Sequence, residues 1–255
     1  MTCPAPFAAV KRVVALLLLG HALASAAGAA PPTPPGRSVY KPSLVLQWKS
    51  RLQVANASLK AGDWKKGRDI ADSVLREMRD RIASGDASGD LLAVAFMFRS
   101  IGEAGMGEIE SASWDFGFAQ TLYPAYGKVD LEPYGAAGTL LSQQRYVDGA
   151  PPDPPRNQVD ASVGTVNPPR KVSGPTPEYP LAKAASCIEQ KIVVRAFIDA
   201  QGRPEKPSLP PGTDPVLGVA ALDAVRMWRF EPATQDGKPV RVILELTVNF
   251  HVRGC

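Results

Sequence analysis

From Val240 to Val252 apolar and polar residues alternate without losing phase. Val240, Val242, Leu244, Leu246, Val248, Phe250 and Val252 lie on one side, and Arg241, Ile243, Glu245, Thr247, Asn249, His251 and Arg253 on the other, with Ile243 the one apolar member of the second set. Period two over such a run predicts a β-strand with one buried face. A slip of one residue would turn every large inward side chain to water, each worth roughly 1.5–3 kcal/mol when buried, so the register is firmly set. The residues ahead of the run predict its neighbours. "KIVVRAFIDAQGR" gives a strand over Ile192–Ile198 ended by an Ala-Gln-Gly turn, and "PVLGVAALDAVRMWRF" gives a helix with Leu222, Val225 and either Trp228 or Arg229 on successive turns. Trp228 and Phe230 are predicted to close that helix against the sheet. Pro232 stops the helix, and an Asp236-Gly237 turn starts the last strand.

Residues 43–145 read as helical. Leu44, Trp48, Leu52, Ala55 and Leu59 recur at three- and four-residue steps, and after a break at Gly62-Asp63 so do Trp64, Ile70, Val74, Leu75, Met78 and Ile82. So short a turn predicts an antiparallel helical hairpin. A second hairpin follows "GDASGD", from "LLAVAFMFRSIGEAGMG" and "EIESASWDFGFAQTLYP". Ala112, Phe116, Ala119 and Pro124 have the spacing of the second helix of a tetratricopeptide repeat, and Gly62-Asp63-Trp64, Gly67 and Ala71 resemble its turn and second helix. The turns at Gly62 and Gly107 are 45 residues apart, against a repeat of about 34, so an unrelated helical bundle stands beside the repeat-like reading.

Twenty-five prolines, many of them clustered, mark linkers. Residues 27–42 hold one cluster. Residues 146–173 hold six prolines in two groups and no sustained periodicity, which predicts an extended spacer. Residues 1–26 have the form of a signal peptide: Lys11-Arg12, an apolar stretch Val13–Leu19, and Ala24-Ser25-Ala26 as the cleavage site, with Ala29 as another. An uncleaved anchor is the rival reading. Cleavage would remove two positive charges, taking the formal charge from +4 to +2, too small an imbalance to point to nucleic acid. Export places the chain in the periplasm, with inner-membrane anchoring as the alternative.

The C-terminal constellation resembles the C-terminal domain of the TonB family of energy transducers. "PEYPLAKAA" stands as the lead-in, "VVRAFIDAQGR" as the first strand and turn, and "ALDAVRMWRFEPATQDGKPVRVILELTVNF" as helix, Trp-x-Phe-x-Pro-Ala signature and last strand. Its signature residues here are Tyr179, Pro180, Trp228, Phe230, Pro232 and Gly237. The resemblance, which covers about the last 80 residues, implies a domain over 174–255 with a three-stranded antiparallel sheet and helices on one face; with the helical-hairpin, tetratricopeptide-like domain over 43–145 the expectation is an α+β chain overall. It further implies that the last strand lies at an open edge, Ile243, Leu244, Glu245, Leu246, Thr247, Val248, Asn249 and Phe250, which binds the "TonB box" of outer-membrane transporters by β-strand augmentation. The middle strand departs from the family pattern. Pro204 and Pro207 cannot donate to a ladder, so that strand is predicted to be short and at an edge.

If the last strand runs antiparallel to the first, Cys187 precedes the start of one and Cys255 follows the end of the other, so a disulfide between them is expected. After cleavage His251 is the only histidine, and no nucleophile–base motif, phosphate loop or Cys/His metal spacing is present. The expectation is therefore a protein-binding chain with no catalytic residues, metal or cofactor and no evident small-molecule substrate, its partners a transporter peptide and a second, unidentified protein for the helical part. The alternatives are a structural adaptor without transporter coupling, or a membrane-anchored transducer.

Overall fold

The computed structural model describes residues 43–81, 89–146, 159–160, 166–180 and 189–251. The residues expected to form a signal peptide, 1–26, and both Cys187 and Cys255 lie outside the described residues. Among the described residues no helix is long and apolar enough to cross a membrane.

Four helices form two successive hairpins: α1 (Leu44–Lys60), α2 (Trp64–Arg81), α3 (Gly89–Gly105) and α4 (Ile109–Leu122). The predicted α1 face holds, with Trp48, Leu52, Ala55 and Leu59 fully buried. Ser43 caps α1, its side chain accepting from the Leu46 amide. The helix α3 is buried on nearly every side from Leu91 to Ala104, so it is the centre of the helical unit rather than one of its outer walls. Two short 3₁₀ turns and α5 (Gly135–Ser142) close the unit, with the Tyr134 hydroxyl donating to Asn56 Oδ1 at 2.7 Å.

Among the described residues nine strands follow: β1 (Val159–Asp160), β2 (Val166–Asn167), β3 (Arg170–Ser173), β4 (Gln190–Ile198), β5 (Pro204–Ser208), β6 (Arg229–Glu231), β7 (Ala233–Gln235), β8 (Lys238–Val240) and β9 (Val242–Phe250), with α6 (Pro215–Arg226) between β5 and β6. The main sheet has the order β1-β9-β4-β5. β4 pairs antiparallel with β9 over its whole length, from Gln190↔Phe250 to Ile198↔Val242. The β9–β4–β5 core is thus the predicted three-stranded antiparallel sheet, and β1 adds a two-residue parallel pairing to β9. The predicted register of the last strand holds: Val242, Leu246, Val248 and Phe250 are buried, and Glu245, Thr247 and Asn249 are exposed.

Three expectations change. The last strand is not one run, because it breaks at Arg241 between β8 and β9. β8 pairs back on β7 through the two-residue Asp236-Gly237 loop, both residues at positive φ (51° and 74°), as the tightest right-twisted hairpin turn requires. The helix ends at Arg226, with Met227 as its C-cap, so Trp228 and Phe230 lie beyond it and Pro232 is not what stops it. Residues inside the expected 146–173 spacer also enter the ladders: β2 pairs with β7 and β3 with β6. Alternation over so few residues carries no periodic signal, which is why the sequence reads as plain linker there.

Candidate functional site

Strand β9 is held from one side and, among the described residues, bare on most of the other. Its inner edge is fully paired with β4. Among the described residues its outer edge is paired only where β1 meets Val242 and Ile243. Of the eight predicted edge residues, Ile243 has an intrachain neighbour in Asp160, and along Leu244, Glu245, Leu246, Thr247, Val248, Asn249 and Phe250 no described strand lies on the outer side, toward which every second residue turns its N–H and C=O. Such a row of unpaired N–H and C=O groups is a template for an added strand. The exposed face of this stretch is polar, which limits indiscriminate pairing, while the buried face locks its register.

The signature residues brace the lead-in to the sheet. The Trp228 indole N–H donates to the Pro175 carbonyl at 2.9 Å, and Lys171 Nζ stands 3.5 Å from the Trp228 ring centroid, a cation–π contact. Phe230 pairs in register with Lys171. Its amide donates to the Gly202 carbonyl at 2.9 Å, so the aromatic pair clamps the segment 170–175 and the β4–β5 turn, in place of the predicted helix end. Gly202 has φ +77°, and a Cβ there would lie 1.8 Å from the Phe230 carbonyl oxygen; only glycine fits. Tyr179 meets Phe250 edge-on at 5.7 Å between centroids, tying the lead-in to the end of the candidate edge. Pro232 is half-buried between β6 and β7.

The opposite edge of the sheet is closed. β5 carries Pro204 and Pro207, as the sequence predicted, and is covered by the helical unit. The Tyr146 and Thr121 hydroxyls both donate to the Pro207 carbonyl, at 3.0 and 3.4 Å. Beneath this seam lies a buried ion cluster. Asp115, fully buried, accepts from Arg99 through both oxygens and from Arg226 of α6 at 3.1 Å. Arg99 reaches Asp72 at 2.9 Å, and Arg79 reaches Asp223 of α6 at 2.8 Å. Burial opposes the Arg99 charge, but the Asp115 carboxylate outweighs it and holds the guanidinium pKa above the ordinary arginine value. Glu103 is pushed up to about 8 by burial and then by the neighbouring Asp115, despite Arg99 and Arg226. One of its oxygens, Oε2, is buried without a hydrogen-bond partner.

Residues 175–252 match the family described as Gram-negative bacterial TonB protein C-terminal. This segment is similar to the TonB C-terminal domain. The chain is also 30% identical over 113 residues to "Protein TonB" of Vibrio cholerae serotype O1, covering 41% of this chain and 46% of the relative. It therefore spans about half the length of that curated relative. No solved structure matches significantly. The α+β organisation read from the sequence agrees with the TonB C-terminal domain and the helical half before it.

Sequence reasoning missed the contacts that join the helical half to the C-terminal domain. Arg99 and Asp115 were visible as single charges inside the apolar runs "AFMFRSIG" and "SASWDFGFA", and charges in such runs are buried only when paired. Nothing in the sequence pointed to Arg226 as their partner.

Proposed function

We propose that this chain acts in the bacterial envelope as a TonB-like protein, binding the N-terminal TonB box of an outer-membrane transporter by strand addition to Leu244–Phe250 and so supporting energy-dependent transport. The observation that carries this reading is the long outer edge of β9, opposed by only two residues of β1 among those described. The family match over 175–252 and the likeness to the Vibrio cholerae protein support it. On this reading the working end of the chain faces the periplasm, and binding rather than bond-making is the activity.

A structural adaptor without transporter coupling is the second reading, favoured by the salt bridges that tie the helical half to α6, Asp115–Arg226 and Arg79–Asp223, which suit a chain built to hold two partners at a set distance. Titrating the whole purified chain with a TonB-box peptide separates the two. Saturable micromolar binding, with amide shifts concentrated in Leu244–Phe250, supports strand addition. Absence of binding, or shifts confined to the helical half, leaves the adaptor reading standing and removes the first.

A further inference from the structure

The seam between the helical half and β5 encloses a cavity of about 310 Å³, lined on one side by Ile109, Glu110 and Trp114 of α4 and on the other by Arg203, Lys206 and Arg241. That is the lower end of the volume range of small-ligand sites, about 300–1,000 Å³. Its lining carries three cations against two carboxylates, Glu110 and Glu205. Arg203 is occupied, donating to Glu110 at 2.7 Å and to Asp199 at 2.9 Å. Arg241 is held over the Phe197 ring at 4.2 Å, and its Nη2 lies 2.9 Å from Glu205 Oε2. Nη2 is thus ion-paired, and Nε is buried without a hydrogen-bond partner. Lys206 forms no ion pair among the described residues.

The backbone at Lys206 is itself unusual. From Arg195↔Ser208 to Phe197↔Glu205 the β4 strand advances two residues and β5 three, so β5 carries a bulge at Lys206–Pro207. Lys206 sits there at φ +45°, a conformation a non-glycine residue adopts at some energetic cost. Bulges re-aim a side chain out of the sheet's alternation, and here the bulge is pinned from the helical half through the Pro207 carbonyl. A strained residue held in place by the other half of the molecule, on the wall of a cavity lined by three cations, is a built feature.

We propose that this seam cavity binds an oxyanion-bearing small ligand, its phosphate or carboxylate group received by Lys206 and Arg241 and its apolar part lying against Trp114 and Ile109. Planar guanidinium nitrogens and an ammonium together suit an oxygen triad or pair. The site draws residues from both halves of the chain, so occupancy would tighten the seam. It stands apart from the β9 edge and does not depend on strand addition.

The test is calorimetric titration of the whole chain with inorganic phosphate and, separately, with a short aromatic carboxylate, in chloride buffer at matched ionic strength, for wild type, Lys206→Met, Arg241→Met and the surface variant Lys65→Met. Saturable binding that Lys206→Met weakens at least tenfold while Lys65→Met leaves it unchanged supports the site. The tighter of the two probes then assigns phosphate or carboxylate. If Arg241→Met loses the native circular-dichroism spectrum, Lys206→Met decides alone. No saturable binding by either probe, or equal losses in Lys206→Met and Lys65→Met, overturns it.

Discussion

Along β5 the sheet ends in five residues with two prolines, a bulge and a helical unit laid over them, whereas along β9 it ends in nine regular residues of which two meet another strand. Both edges belong to one small sheet and share the central strand β4. The difference lies in what covers the backbone. On the β5 side, prolines remove donors and hydroxyls of the helical half satisfy a bulge carbonyl, so that no further strand can be added. On the β9 side, the buried register is strong and, among the described residues, only β1 covers the outer groups. Under the proposed strand addition, closing one edge leaves an incoming strand a single place to add.

The largest expected effect comes from breaking the covered side. Asp115→Ala leaves the buried Arg99 and the half-buried Arg226 beside each other without their shared carboxylate, and removing one partner of a buried pair costs about 3–5 kcal/mol. Urea unfolding should show that loss. Thr247→Ala, on the exposed face of the open edge, should change stability by less than about 0.5 kcal/mol. Equal losses at the two positions would mean that the seam does not carry the stability assigned to it.

The open side is tested through its ligand. If a peptide adds to β9 as a strand, its backbone supplies the contacts, and only alternate amides point at the protein. Methylating one alternate set of peptide nitrogens should weaken binding tenfold or more, while methylating the other set should have little effect. Equal sensitivity of both sets in titration calorimetry would rule out strand addition.

How much of this contrast was legible in the sequence depends on the range of the forces involved. The last strand was readable because Val242, Leu246, Val248 and Phe250 sit at even spacing, a local signal, whereas its expected place at an edge came only from the family resemblance. The weakness of β5 was readable because Pro204 and Pro207 lack donors, again a local fact. The cover over β5 was not readable, since Tyr146 reaches Pro207 across 61 positions and Arg226 reaches Asp115 across 111. The Trp228–Phe230 pair was identified as an anchor, but its object was misjudged. Helical periodicity ran smoothly through Met227, and only the pairing of β6 with β3 explains why the chain leaves the helix there.

The seam also predicts a pH dependence. Glu103 faces Arg99, Asp115 and Arg226, and its folded-state pKa is raised to about 8 by burial and Asp115. An acid held protonated in the folded state contributes stability that is complete below its ordinary value and is lost as pH rises through about 8. Glu103→Gln keeps the shape and removes the titration. Its melting temperature should match wild type near pH 5 and exceed it at pH 9; curves that stay parallel from pH 5 to 9 would place the ionised form of Glu103 comfortably in the seam.

The smallest effect concerns the bulge. Lys206 holds φ +45°, where glycine is at ease, but glycine also loses more conformational freedom on folding. The two terms oppose each other, and Lys206→Gly should leave the protein equally stable or stabilise it by up to about 1 kcal/mol. A destabilised Lys206→Gly variant would mean instead that the lysine stem packs productively against the seam. A stabilised variant that binds no oxyanion would show the strain being tolerated for the sake of the cavity, since the covered edge would then hold a side chain in a posture that stability alone disfavours.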